Sequence, residues 1–356
     1  MGKAKKLSEM LPQGIDGALI TSPQNRRYIT GFKSSAGAVL VTRDKSYFLT
    51  DFRYIEAARR AIRDIDCVEY KKMADTLKEI ANRHSLKTLA VEGSEITCSD
   101  LNSLKESLNG IELETTVLDD CLTELRLSKT KEELEKIKQA QALTDYGFEY
   151  ILPRIKAGRT EREIALDLEF EIRRQGAEAA AFDFIVVSGA NSSLPHGVPS
   201  DKQVEKGDFV TLDFGAVVDG WRSDMTRTVA VGSCSEEQRE IYNIVLKAQL
   251  AALSRIKSGL SCREGDAAAR DIIKGAGYGE YFGHGTGHGV GMEIHEAPRL
   301  SPSAEKDEIL KEGTVVTVEP GIYIPGRFGV RIEDMVYITA NGCENLTKSS
   351  KKLIIV

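Results

Sequence analysis

Residues 210–228 read Val-Thr-Leu-Asp-Phe-Gly-Ala-Val-Val-Asp-Gly-Trp-Arg-Ser-Asp-Met-Thr-Arg-Thr, and the fold turns on how this stretch pairs with itself. Asp219-Gly220 is a two-residue hairpin signal, because both central positions of a type I′ turn need positive φ. The turn joins two alternating runs, 209–217 and 222–231, which predict paired strands. Centring the pair on that turn sets Val218 against Trp221 and Asp213 against Thr226. Asp224 then becomes the diagonal neighbour of Asp213 on one face. Aspartates are common on hairpin surfaces, but Asp213 lies between Leu212 and Phe214 in a strand too apolar to be a surface. The spacing predicts two acids within reach of a common cation.

Three further stretches extend this pattern. Residues 283–291, Gly-His-Gly-Thr-Gly-His-Gly-Val-Gly, place glycine at every second position. An extended strand would point His284, Thr286, His288 and Val290 one way and leave the other face bare, for close approach of another backbone. Phosphate-binding loops do not set histidines on alternate residues. Glu319 ends a predicted strand, 314–318, just before Pro320-Gly321. Glu333 shares a face with Arg331 in the predicted strand 329–338, where Val330, Ile332 and Val336 argue against an exposed acidic pair with Asp334. Four carboxylates in one site must protonate in part unless divalent metal neutralises them. Of five histidines, only His84 lies outside such contexts; His196 sits in Leu-Pro-His-Gly-Val-Pro and His295 in Ile-His-Glu-Ala-Pro.

Taken together, these stretches resemble the pita-bread metallopeptidases, and among them the Xaa-Pro peptidases, aminopeptidase P and prolidase. The resemblance implies two divalent ions, with Asp224 and Glu333 bridging, Asp213 on one ion, and His288 with Glu319 on the other. It places His284 beside the site without binding metal and gives Glu319 the proton transfer to the leaving nitrogen. His295 would hydrogen-bond the substrate carbonyl, His196 would contact substrate near the scissile bond, and Arg331 and Tyr323 would stand close by. The implied reaction is attack of a metal-bridging hydroxide on the peptide bond before proline. The oxygen-rich ligand set points first to Mn²⁺, with Co²⁺, Fe²⁺ and Zn²⁺ as alternatives. A homodimer acting on short proline-containing peptides is expected. A methionine aminopeptidase-like enzyme would leave residues 1–125 and the contexts of His196 and His295 unexplained. A creatinase-like hydrolase or a metal-free binding module would be expected to lack ligands that this chain keeps. The shortness of residues 1–125 leans towards Xaa-Pro dipeptides over longer peptides.

A chain of 356 residues is long enough for two domains. Residues 1–125 read as a small creatinase-like α/β domain expected to mediate dimerisation and wall the cleft. Its predicted strands are 17–22, 36–42, 47–50 and 88–91, with helices over 52–63 and around Leu101, Leu104 and Leu108. Residues 126–356 are expected to form the catalytic pita-bread domain, giving an α+β protein. Thr130 and Glu133 fit a capping box that opens a long helix stopped by Pro153. At an offset of 101, Lys156, Gly158, Arg162, Glu163, Ile172 and Gly176 match Lys257, Gly259, Arg263, Glu264, Ile273 and Gly277. Each copy precedes a hairpin with two acids, which suggests two αββ halves closing around a site. A net charge of −6 argues against a nucleic-acid surface, and no apolar run approaches the ~20 residues of a membrane span. No secretory signal is apparent, and the six scattered cysteines suit reduced thiols, so a cytoplasmic location is expected.

Overall fold

The Asp219-Gly220 turn forms as read: both residues have positive φ, 47° and 84°, and Val218 faces Trp221. These features come from a computed structural model that describes residues 2–356. Strand Phe209–Phe214 pairs antiparallel with Met225–Ala230 and sets Asp213 opposite Thr226. The two predicted runs are not continuous, however. Phe209–Phe214 gives way to Ala216–Val218, and Trp221–Arg222 to Met225–Ala230. The cause lies at Gly215, where a Cβ would collide with the Ser223 carbonyl. Ser223 folds onto Ala216, its amide donating to the Ala216 carbonyl at 3.0 Å and its hydroxyl accepting from the Ala216 amide at 2.9 Å. The tip of the hairpin joins Ala179–Ala180 in one sheet, and its base joins Ile185–Ser188 in another. Asp224 sits at the joint.

The second hairpin repeats the device. Val315–Val318 pairs with Asp334–Ile338, and Gly321–Ile324 with Phe328–Arg331, in different sheets. The predicted strand 329–338 is therefore broken at Ile332-Glu333. Both Asp224 and Glu333 leave the ladder where a long arm kinks, which frees their side chains to turn away from the sheet.

The faint sequence repeat marks real structural equivalence. Thr160/Glu163 and Ser261/Glu264 both form capping boxes, opening helices Glu161–Arg174 and Cys262–Gly275. Just before each helix, Gly158 and Gly259 adopt φ of 92° and 83°, and each donates its amide over 2.8 Å to an incoming segment, at Val204 and Leu310. The partner helices, Lys131–Ile151 and Glu236–Arg255, also start with capping boxes. Each helix pair covers its own hairpin. Ile151, Ile164 and Leu168 pack with Leu212, Phe214 and Met225, while Ile241, Val245 and Ile273 pack with Val316, Val318 and Val336. Two αββ halves result.

The chain divides after Arg126. Among the described residues, the first unit holds one six-stranded mixed sheet. Its order is Asp66–Glu69, Ser46–Thr50, Ala38–Thr42, Gly17–Ile20, Thr88–Val91, Glu112–Glu114. The predicted hairpin across residues 43–46 appears as the antiparallel pairing of Ala38–Thr42 with Ser46–Thr50. No helix among the described residues is long and apolar enough to cross a membrane.

Candidate active site

The glycine-rich run is regular strand only over Gly287–Gly289, with a register shift after His288, so the expected extended segment 283–291 is shorter than read. Its bare face does meet other backbone: a Cβ on Gly287 would strike the Thr317 carbonyl, and one on Gly289 the Ala297 carbonyl. Neighbouring strands thus close on both sides and bury His288 to 7% exposure. Its Nδ1 lies 3.0 Å from the Gly289 carbonyl oxygen, which can only accept, so Nδ1 carries the proton and Nε2 the lone pair. Nε2 faces Glu319 Oε1 at 3.4 Å and Asp224 Oδ2 at 3.5 Å, longer than ordinary hydrogen bonds. A lone pair facing carboxylates is repulsive. Burial pushes the His288 pKa down to about 3, so the imidazole itself takes up no proton to relieve the repulsion near neutral pH.

The acids are short of donors. Asp224, His288 and Glu333 offer ligand atoms within 4.8 Å of one another. Burial raises the pKa of Asp224 well above the carboxylate range, with the charges of Glu333, Asp213 and Glu319 adding to it. Burial likewise raises Glu333, helped by Glu319 and Asp213. Glu319 is pushed up to about 8, first by burial, with Asp213 adding and Arg331 opposing. Asp213 Oδ2 accepts from Arg331 at 2.5 Å, while its Oδ1 is buried without a hydrogen-bond partner. A free lone pair, an orphaned carboxylate oxygen and four acids against one guanidinium fit a divalent cation held by oxygen and nitrogen donors.

Behind the acids runs a fixed string of side chains. Arg331 donates to the Tyr323 hydroxyl at 2.7 Å, and to the Pro195 carbonyl at 3.2 Å. His284 has its Nδ1 2.8 Å from the Gly285 carbonyl, so its Nε2 accepts the Tyr323 proton at 2.8 Å. That acceptor is occupied, and His284 has no lone pair left for a metal. Burial, then the Arg331 charge, pushes the His284 pKa down to about 4, and burial drives Tyr323 up to about 12. Burial alone would lower the Arg331 pKa, but Tyr323 and the acids raise it well above its usual value. The two halves are stitched at the same place: Thr226 Oγ1 donates to Glu333 Oε2 at 2.6 Å, and Thr228 Oγ1 to the Arg331 carbonyl at 3.0 Å.

Every site residue singled out in the sequence, except Tyr323, lines one cleft of about 690 Å³. Tyr323 stands behind Arg331 and His284. The His295 ring packs edge-on against His288 with centroids 4.5 Å apart, and burial lowers its pKa. His196 is exposed on its loop. Two features escaped the sequence reading. Arg299, exposed in the cleft wall and opposite His288 across the strand pair, has no ion-pair partner among the described residues. Lys129 reaches Glu296 at 3.1 Å with both side chains buried, and Glu296 accepts the Glu293 amide at 3.0 Å, bracing the turn before His295. Neither had a motif to announce it.

Residues 135–340 match metallopeptidase family M24, and residues 4–128 match the creatinase/prolidase N-terminal domain. The Xaa-Pro dipeptidase of Pyrococcus furiosus is 41% identical over 355 residues, covering 99% of both chains. The solved structure of an Xaa-Pro dipeptidase from Bacillus anthracis has a TM-score of 0.96 at 46% identity, again over 99% of both. An X-Pro aminopeptidase from Thermotoga maritima MSB8 follows at a TM-score of 0.92 and 38% identity, with both chains fully covered. Family membership implies divalent metal, and Asp224, His288 and Glu333 form a group that could hold an ion. With its paired αββ halves, the chain belongs to metallopeptidase family M24 and carries the creatinase/prolidase N-terminal domain.

Proposed function

We propose that this chain hydrolyses the bond between an N-terminal residue and proline, preferring free Xaa-Pro dipeptides, with two divalent ions of which Mn²⁺ is the first candidate. The observation that carries this reading is the donor-poor acid cluster under the cleft. Asp224 and Glu333 stand at its centre, with Asp213 on the Arg331 side and Glu319 beside His288. Four carboxylates less one guanidinium leave three negative charges. One divalent ion brings the sum to −1 and two bring it to +1, and two ligand groups around a central pair favour two ions. The oxygen-rich donor set suits Mn²⁺ better than a structural zinc site.

Bound divalent ions act as Lewis acids towards a peptide carbonyl and lower the pKa of water. The protein supplies the rest. Glu319, beside His288 in the cleft, is placed to take a proton from the attacking water and hand it to the departing proline nitrogen. His295 and His196 enter the cleft where a substrate carbonyl can accept from them. The Arg331–Tyr323–His284 string fixes Asp213 and keeps His284 out of the ligand set. Arg299 offers a guanidinium to the carboxylate of a dipeptide, which a longer peptide would carry farther away. Pairing of two copies through residues 1–125 belongs to the same reading, and light scattering tests it, a monomer overturning that part.

The deciding assay compares metal-free and Mn²⁺-loaded protein on Ala-Pro, Ala-Pro-Ala and Met-Ala-Ser. Turnover of Ala-Pro that needs metal is the expected result, and Arg299→Met should raise KM for Ala-Pro on the order of tenfold with Ala-Pro-Ala little changed. Preference for Met-Ala-Ser, or turnover indifferent to metal, would sink the reading. Faster cleavage of Ala-Pro-Ala would shift it to the aminopeptidase P type.

A further inference from the structure

Helix Glu161–Arg174 begins with an acid that faces inward. Glu161 is 0% exposed, and its carboxylate meets only donors. Oε1 accepts from the Ser188 amide at 2.6 Å, the Ser188 hydroxyl at 2.9 Å and Asn191 Nδ2 at 3.1 Å. Oε2 accepts from the Ser200 hydroxyl at 2.6 Å and the Ser200 amide at 3.1 Å. One carboxylate therefore clasps both ends of segment 188–200, whose middle carries His196 into the cleft. Lys202 continues the clasp, donating to the Ser188 hydroxyl at 3.0 Å and to Asp208 at 2.6 Å.

The rest of the segment is held at two further points. Ser192 Oγ accepts from the Gly329 amide at 2.9 Å while donating to the Gly189 carbonyl at 2.6 Å, and the Pro195 carbonyl accepts from Arg331. The side chains on either side of His196 pack little, with Leu194 55% and Val198 79% exposed. The Arg331 bond to Pro195 and the buried Gly197 fix the tip locally, while the clasp fixes the base from which it rises. Buried charge is expensive unless donors surround it, and here the donors are the two ends of this loop.

We propose that Glu161 is a positioning residue for His196, fixing where the histidine enters the cleft by closing the base of its loop. Glu161 touches neither substrate space nor the acid cluster; it acts only through the segment it clasps. The inference rests on the proposed substrate contact of His196, but the clasp has a readout independent of that role.

Glu161→Gln keeps the shape while turning an NH₂ group towards donors at one end of the loop. Hydrogen exchange should show the amides of Ser188 and Ser200 losing protection, with those of 209–214 unchanged and metal content retained. The variant should lose on the order of 10- to 100-fold in kcat/KM for Ala-Pro, the scale expected for a misplaced contact group. In a His196→Ala background the same change should cost nothing further, because there is no histidine left to place. Losses that multiply across the two variants, or metal loss in Glu161→Gln alone, would overturn the positioning role. Normal turnover in His196→Ala with the clasp amides deprotected in Glu161→Gln would instead remove the substrate contact and, with it, the reason for positioning. Should Glu161→Gln not fold, Ser200→Ala removes one donor from the same clasp. It should show a smaller loss with the same absence of additivity, and an additive loss there overturns the proposal equally.

Discussion

Glu92 in the first unit and Glu333 in the second are both 1% exposed, yet their surroundings are opposite. Glu92 accepts from the Thr21 amide at 2.6 Å, the Ser22 amide at 2.9 Å, the Ser22 hydroxyl at 2.5 Å and Asn25 at 2.8 Å. Glu333 accepts one hydroxyl, that of Thr226, and shares its neighbourhood with three other acids. Asp334, one residue further on, belongs with Glu92: Arg227, Gln249, Asn345 and Lys351 all donate to it, over 2.6–2.9 Å. Burial alone would raise the Asp334 pKa, but Arg227 and Lys351 outweigh it and hold the carboxyl below its usual range. A buried acid that serves the fold brings its own donors. One left short of donors leaves its charge to a ligand, and that shortage is the best physical mark of the proposed metal site.

The sharpest way to break this contrast is to remove a donor-poor acid. Asp224→Ala or Glu333→Ala should drop Ala-Pro turnover by about a thousandfold or more, roughly 4 kcal/mol of barrier, and elemental analysis should find fewer than two ions per chain. Retained metal with ordinary turnover would end the assignment. The satisfied neighbour should fail differently. Asp334→Asn leaves Arg227 and Lys351 buried without their counter-charge and should cost about 3–5 kcal/mol of stability near pH 7. Because the folded pKa of Asp334 lies below its unfolded value of about 3.9, that contribution is complete above this pH and is lost as pH falls through the folded value. Denaturation curves should therefore show the gap between wild type and variant closing below about pH 4, and a gap independent of pH would contradict the pairing.

Much of this contrast was legible in the sequence, and the illegible part has identifiable causes. Asp219-Gly220 set the register of the first hairpin correctly because a turn type dictates pairing over several residues. The glycine row foretold close backbone approach, and the offset of 101 foretold paired halves. The kinks at Ser223-Asp224 and Ile332-Glu333 were not visible, since alternation continues through both and only the packing of Gly215 against Ser223 reveals the first. Edge strands Asp66–Glu69 and Glu112–Glu114 were too short and polar to stand out. Glu161, Glu296 and Arg299 look like any surface charge in sequence. Glu161 meets Ser188 across 27 residues and Glu296 meets Lys129 across 167, while Arg299 has no ion-pair partner among the described residues, and burial or isolation of that kind exists only after folding.

The smallest expected effect tests the contrast by its sign. Asp224→Asn replaces a buried acid whose pKa is raised with a neutral group of the same shape. In metal-free protein, wild-type Asp224 must either bind a proton or bury uncompensated charge at neutral pH, and both oppose folding. Removing that burden should stabilise the metal-free protein by about 0.5–2 kcal/mol, the range usual when a functional site is relieved of its conflict. For a domain of this size, each kcal/mol moves Tm by about 2–4 °C, so a scan in chelator should resolve the gain. Adding Mn²⁺ should reverse the order, because an ion that binds only the folded state stabilises wild type by about 2.7 kcal/mol at a hundred times its Kd. The variant, short of a ligand, should gain less. Glu92→Gln should show no such crossover, being less stable than wild type with and without metal, since its donors then face an amide. If Asp224→Asn were destabilising in chelator by as much as Glu92→Gln, Asp224 would be an ordinary structural acid, and the shortage of donors around it would have been misread.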